Sequence, residues 1–348
     1  MKAKVLVVVL CLCMAVWSFA ACGGGGGSDE GSAAAGDEET YELVMGSVYT
    51  EDSLEHQQML FIKDKVEEYT DGRCVVTIYP NEQLGDEESI AEQVVAGSCD
   101  VGSSEGSVWA LVTNFPQFAV LGLPFQYSSV EAAEDVVKNV VHTDFNDLIK
   151  DTDVYCLGTI YSGFRHMFTV NKPIHTLEDL KGLKMRVPAA TIYVQMFEDM
   201  GANPTTTAFS EAYQALQQGV VEGCEIDLAN LLAVNWQEVV HYMSYTYHLA
   251  ALNVICINRD KWESYPEDIQ EAIQKAVNES EDYCFELRAD SDAESLKGVE
   301  AAGIEIYEVP AEELARMKEA CQPIYDEFEG YGLTDLLKKI EDINAKYM

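Results

Sequence analysis

Positive charge is what this sequence has least of: 22 Lys and Arg stand against 60 Asp and Glu, a formal net charge of -38. Such a field repels phosphate backbones and excludes nucleic-acid binding as a function. It also repels small anions, so an anionic ligand needs a locally concentrated cationic site. Catalytic signatures are missing too. The chain has no H-E-x-x-H, no P-loop and no G-x-G-x-x-G after a strand, and these are the patterns that mark zinc proteases and nucleotide enzymes. Its 6 histidines show no paired metal-ligand spacing, so they read as surface or core groups, and neither metal nor cofactor is expected. Cysteines form no C-x-x-C pair and sit in apolar runs such as Tyr155-Cys156-Leu157, which argues against a disulfide scaffold. What remains is an ordinary globular composition. With 348 residues, 48% apolar, 24 Gly and 9 Pro, the chain can bury a substantial core as one large or two medium domains.

The N-terminus reads as targeting. Lys2 and Lys4 precede an apolar run from Val5 to Trp17, short of the roughly 20 residues a membrane span needs. Ser18-Phe19-Ala20-Ala21-Cys22 closes it and resembles a bacterial lipoprotein signal, with cleavage before Cys22 and acylation of its thiol. An uncleaved N-terminal anchor is the alternative; both place the remainder outside the cytoplasm, at the membrane. Residues 1–21 are therefore expected as signal peptide and 22–40 as a tether of Gly, Ala, Ser and acids, reaching about 25 Å r.m.s..

Strand and helix patterns alternate through the body. Leu43–Val48 reads as a strand, Ser53–Tyr69 as a helix, Val75–Tyr79 as a strand, Asp86–Val95 as a helix capped by Asp86, and Asp100–Ser103 as a strand. This order predicts an open, mostly parallel sheet with ligands at the carboxyl ends of its strands. A second α/β unit is expected from Gly163: strands at Phe164–Val170 and Leu183–Val187, a capping box at Thr176 and Asp179, a helix at Phe209–Gln217, and extended chain at Val220–Ile226. Asn253–Ile257 reads as a strand returning to the first sheet. From Pro266 an amphipathic pattern runs towards Lys297, long enough to brace two domains.

Arginine is the informative residue type, with only Arg73, Arg165, Arg186, Arg259, Arg288 and Arg316 present. Arg186 lies in a strand between Met185 and Val187, where burial demands a partner, and a guanidinium fork matches a carboxylate bidentately. That partner is either an internal Asp or Glu or a ligand. The run Asp86-Glu87-Glu88 reads first as a solvated helix start.

Four stretches carry a family resemblance: Tyr79-Pro80-Asn81-Glu82-Gln83-Leu84-Gly85-Asp86; Gly163-Phe164-Arg165; Asp179 to Pro188, reading DLKGLKMRVP; and Phe209 to Gly223, reading FSEAYQALQQGVVEG. In this order they resemble the solute receptors of tripartite ATP-independent periplasmic (TRAP) transporters, of the dicarboxylate-receptor type, over about residues 41–345. The resemblance implies a two-domain, periplasmic-binding-protein-like α/β fold around a cleft. Domain I would hold 41–162 plus about 253–292, and domain II 163–252 plus about 293–348, with a helix at about 266–297 spanning both. It implies that Arg186 grips the carboxylate of a small organic acid, that Arg165 is a more variable ligand contact, that Phe209 is an aromatic wall, and that Glu87 and Glu105 read polar groups of the ligand. The family often has Gln-Glu-Asn after Glu-Gly, and its Asn touches the carboxylate. Here Cys224-Glu225-Ile226 follows, and Ile226 cannot donate that bond.

The expected function is a lipid-anchored receptor delivering a carboxylate to TRAP membrane subunits. A receptor feeding a membrane signalling protein shares the signature, and an extracellular enzyme would need Glu87, Glu105 or a cysteine as its reactive group. Candidate ligands are C4-dicarboxylates, aliphatic or aromatic monocarboxylates and sugar acids; Trp109, Tyr161, Phe164 and Phe209 are candidate walls for an apolar moiety.

Overall fold

Tyr41–Gly46 (β1) opens a β-α-β-α-β run: a helix at Leu54–Tyr69 (α1), Cys74–Tyr79 (β2), a helix at Glu87–Val95 (α2) and Val101–Glu105 (β3). A computed structural model describes residues 39–348; the signal peptide, Cys22 and nearly all of the tether fall outside the described residues. Local chemistry sets the helix starts. The Ser53 hydroxyl accepts the His56 amide (3.1 Å) and the Asp86 carboxylate accepts the Ser89 amide (2.9 Å), each satisfying a donor left over at a helix N-terminus. α1 then buries Met59, Ile62 and Val66 at helical spacing. Thr176 and Asp179 form the expected capping box.

The later strands are Val154–Thr169 (β4), Lys184–Val187 (β5), Asn203–Thr206 (β6), Gly223–Ile226 (β7), Tyr242–Asn258 (β8) and Glu305–Glu308 (β9). Together they make one mixed sheet in the order β2-β1-β3-β8-β4-β7-β5-β6, with β9 also on β8. β1 is parallel to β2 and β3, and β5 is parallel to β6 and β7. Between these parallel groups run two long strands, β4 and β8, antiparallel to each other from Val154↔Asn258 to Thr169↔Tyr242. β3 pairs only with the Asn253–Ile257 end of β8, whereas β7 pairs with the His166–Thr169 end of β4. Two groups of strands are thus joined through the middle of the same two strands.

Both connecting strands are longer than the sequence pattern suggests. The strand expected from Phe164 begins at Val154, and the one expected at Asn253–Ile257 begins at Tyr242. Polar Ser244, Thr246 and His248 interrupt the apolar run; they are buried all the same, because the chain bulges between Ser244 and Leu249 opposite His166. β4 is irregular between Tyr161 and Phe164. Gly163 there has φ +100°, a conformation a side chain disfavours.

Helices cover the sheet. Thr191–Asp199 (α3) and Leu228–Ala233 (α4) follow β5 and β7, and the 35-residue Glu267–Ala301 (α5) packs on α1, β4 and α4. α5 runs slightly past the expected Lys297. Among the described residues no helix is long and apolar enough to cross a membrane, and the described cysteines are all buried free thiols.

Candidate functional site

Strand ends and a helix start converge on one cavity enclosing about 770 Å³, its open mouth included. Arg186 reaches it from β5, Arg165 from β4, Ile226 from the end of β7, Glu105 from the end of β3, Glu87 from the first turn of α2, and Phe209 from the turn after β6. All six sequence candidates therefore meet in one place. Their convergence follows the rule that open α/β sheets bind ligands beyond the carboxyl ends of their strands.

Arg186 is 2% exposed. Its Nε donates to Thr207 Oγ1 (3.2 Å) and its Nη2 to the Thr207 carbonyl (2.7 Å), while the guanidinium lies 5.4 Å from the centre of the Trp236 ring. These are neutral partners. Among the described residues it has no carboxylate mate, so the internal-partner alternative fails. Burial pushes its pKa down to about 10, opposed by Glu225 and reinforced by Arg165. A cation desolvated without a counter-charge is destabilised, and an arriving anion would relieve that.

Arg165 is the opposite case. It forks onto Glu225, through Nε to Oε2 and through Nη2 to Oε1 (2.7 Å), and Nη2 also reaches the Glu225 carbonyl (3.1 Å). Glu225 is itself fully buried, with His248 Nε2 3.4 Å away. The Arg165 guanidinium also lies 5.3 Å from the centre of the Tyr193 ring, and its Nη1 is 3.8 Å from Glu105. Its charge is largely spent inside the protein.

The facing wall is acidic. Glu87 is turned inward, its Oε1 accepting the Glu105 amide (2.7 Å), so the solvated-helix-start reading holds for exposed Asp86 but not for Glu87. Burial raises the Glu87 carboxyl. Glu105 accepts the Tyr193 hydroxyl (2.6 Å), and burial pushes its carboxyl up to about 7, with Arg165 opposing and Glu87 adding. Phe209 packs 5.4 Å from Trp236. The other aromatic candidates are elsewhere: Trp109 donates to the Val254 carbonyl in the core, Tyr161 stacks on Phe285, and Phe164 meets Tyr247 edge-on.

Sequence reading missed Tyr49, Asn230 and Asn253, which also line the cavity. Asn253 breaks the apolar stretch 249–257, and Asn230 follows Asp227, the N-cap of α4, at the spacing of a cap partner. Both signals were available.

Residues 45–330 match the family model described as bacterial extracellular solute-binding protein, family 7 (DctP). The chain belongs to this family. It is 30% identical over 303 residues to the sialic acid-binding periplasmic protein SiaP of Vibrio cholerae, covering 86% of this chain and 91% of that one. Among solved structures, a TRAP periplasmic solute-binding protein of Chromohalobacter salexigens with bound D-glucuronate superposes with a TM-score of 0.80 at 28% identity, covering 86% of this chain and 99% of that one. One from Sulfurospirillum deleyianum with bound succinate gives 0.78 at 25%, covering 88% and 100%. As a family 7 solute-binding protein the chain is an extracytoplasmic TRAP receptor with the two-domain fold of these neighbours, not an enzyme.

Proposed function

We propose that this receptor captures a small organic acid by its carboxylate on Arg186 and hands it to TRAP membrane subunits. The observation that supports it most is the neutral-only environment of Arg186, in a cavity where Arg165 is already paired. Guanidinium offers a planar fork to a carboxylate, and exclusion of water strengthens the pair. The D-glucuronate and succinate of two relatives are both carboxylates, consistent with this grip. Arg165 then acts as a positioned neighbour, Phe209 as an apolar wall, and Ile226 as a contact that offers no hydrogen bond.

The two lobes would comprise 41–162 plus about 253–292 and 163–252 plus about 293–348, with α5 bracing both. Closure is a population shift, since a ligand touching Arg186 on one side and Glu87 or Glu105 on the other favours the state in which both walls reach it. The Tyr193–Glu105 hydrogen bond joins those walls. Acylation of Cys22 would hold the receptor at the membrane, and Cys22→Ser should move it to the soluble fraction on cell fractionation. The primary test is calorimetry of Arg186→Lys, which keeps the charge and loses the fork. Binding should weaken by about 1.5–3 kcal/mol; unchanged affinity would contradict the anchor.

A further inference from the structure

We infer that Asn230 and Asn253 are specificity-determining residues that select a polyhydroxylated monocarboxylate, because bonds inside the protein occupy their amide nitrogens and leave their oxygens to the ligand. The inference rests on Arg186 as the carboxylate anchor and concerns the rest of the molecule held there.

Asn230 Nδ2 donates to Asp227 Oδ2 (2.9 Å) and to Glu55 Oε1 (3.0 Å). Flipping the amide would set its oxygen against two carboxylates, so the orientation is fixed by chemistry. Arg288 holds the same two acids, at 2.8 Å from Glu55 and 3.3 Å from Asp227. Asn253 Nδ2 spans the Tyr49 hydroxyl (2.6 Å) and Ser162 Oγ (3.0 Å), an orientation that two hydroxyls permit, where the carboxylates around Asn230 require it. Glu87 spends one oxygen on the Glu105 amide, and Glu105 spends one on Tyr193. Four acceptors therefore remain around the cavity, on α2, β3, α4 and β8. The Tyr49 hydroxyl beside them is already engaged inside the protein, with the Asn253 amide and with Ser162.

This pattern asks for several hydroxyl groups. A second carboxylate would face Glu87 and Glu105, with Arg165 already committed to Glu225. An ammonium group is one donor centre and cannot serve acceptors spread over four elements. An apolar tail would bury all of these groups unpaired, and sites built to bond a hydroxyl reject analogues without one.

Calorimetry on unfolded and refolded protein tests this with D-glucuronate, D-galacturonate and D-gluconate against hexanoate, 6-aminohexanoate and succinate. The tightest hydroxylated acid should bind at least about tenfold tighter than each of the other three. Asn230→Leu and Asn253→Leu should each lose at least about tenfold more affinity for that acid than for hexanoate. A smaller preference, or equal losses for both acids, overturns the inference. Should a variant fail to melt cooperatively, the wild-type panel and the other variant decide. Arg186→Lys measured on the same acids separates the two levels. If it leaves binding unchanged, or no acid binds at all, the anchor fails and this inference with it; if it weakens binding while the hydroxyl preference is absent, only the inference fails.

Discussion

Two buried arginines, Arg288 and Arg186, are 0% and 2% exposed yet live in opposite electrostatic settings. Arg288 sits on α5 between Glu55 of α1 and Asp227 at the cap of α4. Burial lowers its pKa, but Glu55 and then Asp227 more than reverse this, and the guanidinium is held above its usual range. Among the described residues Arg186, on β5, meets Thr207 and the Trp236 ring with no carboxylate mate, and burial brings its pKa down to about 10. The difference separates a structural cation from a receptive one. A paired buried charge serves the fold, while an unpaired one is a cost to the fold that a ligand can remove.

Exchanging each arginine for methionine should break the symmetry most sharply. Arg288→Met strands Glu55 and Asp227 without a counter-charge, and urea unfolding should show a loss of about 3–5 kcal/mol. Arg186→Met strands no charge and frees only the Thr207 hydroxyl and carbonyl; its unfolding midpoint should change little, while calorimetry with any carboxylate should show binding lost. A large destabilisation by Arg186→Met would erase the distinction.

A smaller effect comes from Glu105. Its folded-state pKa, pushed up to about 7, exceeds the unfolded value, so its contribution to stability is full below about pH 4 and is lost as pH rises through 7. Glu105→Gln should therefore raise the melting temperature relative to wild type at pH 8 and much less at pH 5. An equal shift at both values would show that the carboxyl is not strained by burial. Smallest is Gly163→Ala, where φ is +100° and an added Cβ would sit 3.5 Å from Arg288 Cδ. Chemical denaturation should show a loss of about 1–2 kcal/mol, placing the strand crossing beside the paired arginine rather than the receptive one.

Legibility in the sequence followed the same division. Caps at Ser53, Asp86 and Thr176 are local, and each started its element where expected. Arg186 stood out because a strand position between Met185 and Val187 has no ordinary use for a guanidinium. What was not legible depends on distant partners. The length of β4 and β8 rests on pairing between residues about ninety apart, and Ser244, Thr246 and His248 are polar because a bulge gives them bonds, not water. Nor could the sequence say which arginine was spent, since Glu225 meets Arg165 only once β4 and β7 are side by side. Asn253 in its apolar stretch was a visible anomaly whose meaning came only with Tyr49 beside it.

The most direct test is a crystal structure of the refolded protein with its tightest-binding acid. The ligand carboxylate should lie across the Arg186 guanidinium with two nitrogen-to-oxygen distances of about 2.7–2.9 Å, and Arg165 should remain on Glu225. A ligand carboxylate seated on Arg165, or Arg186 turned onto a protein carboxylate, would contradict the account.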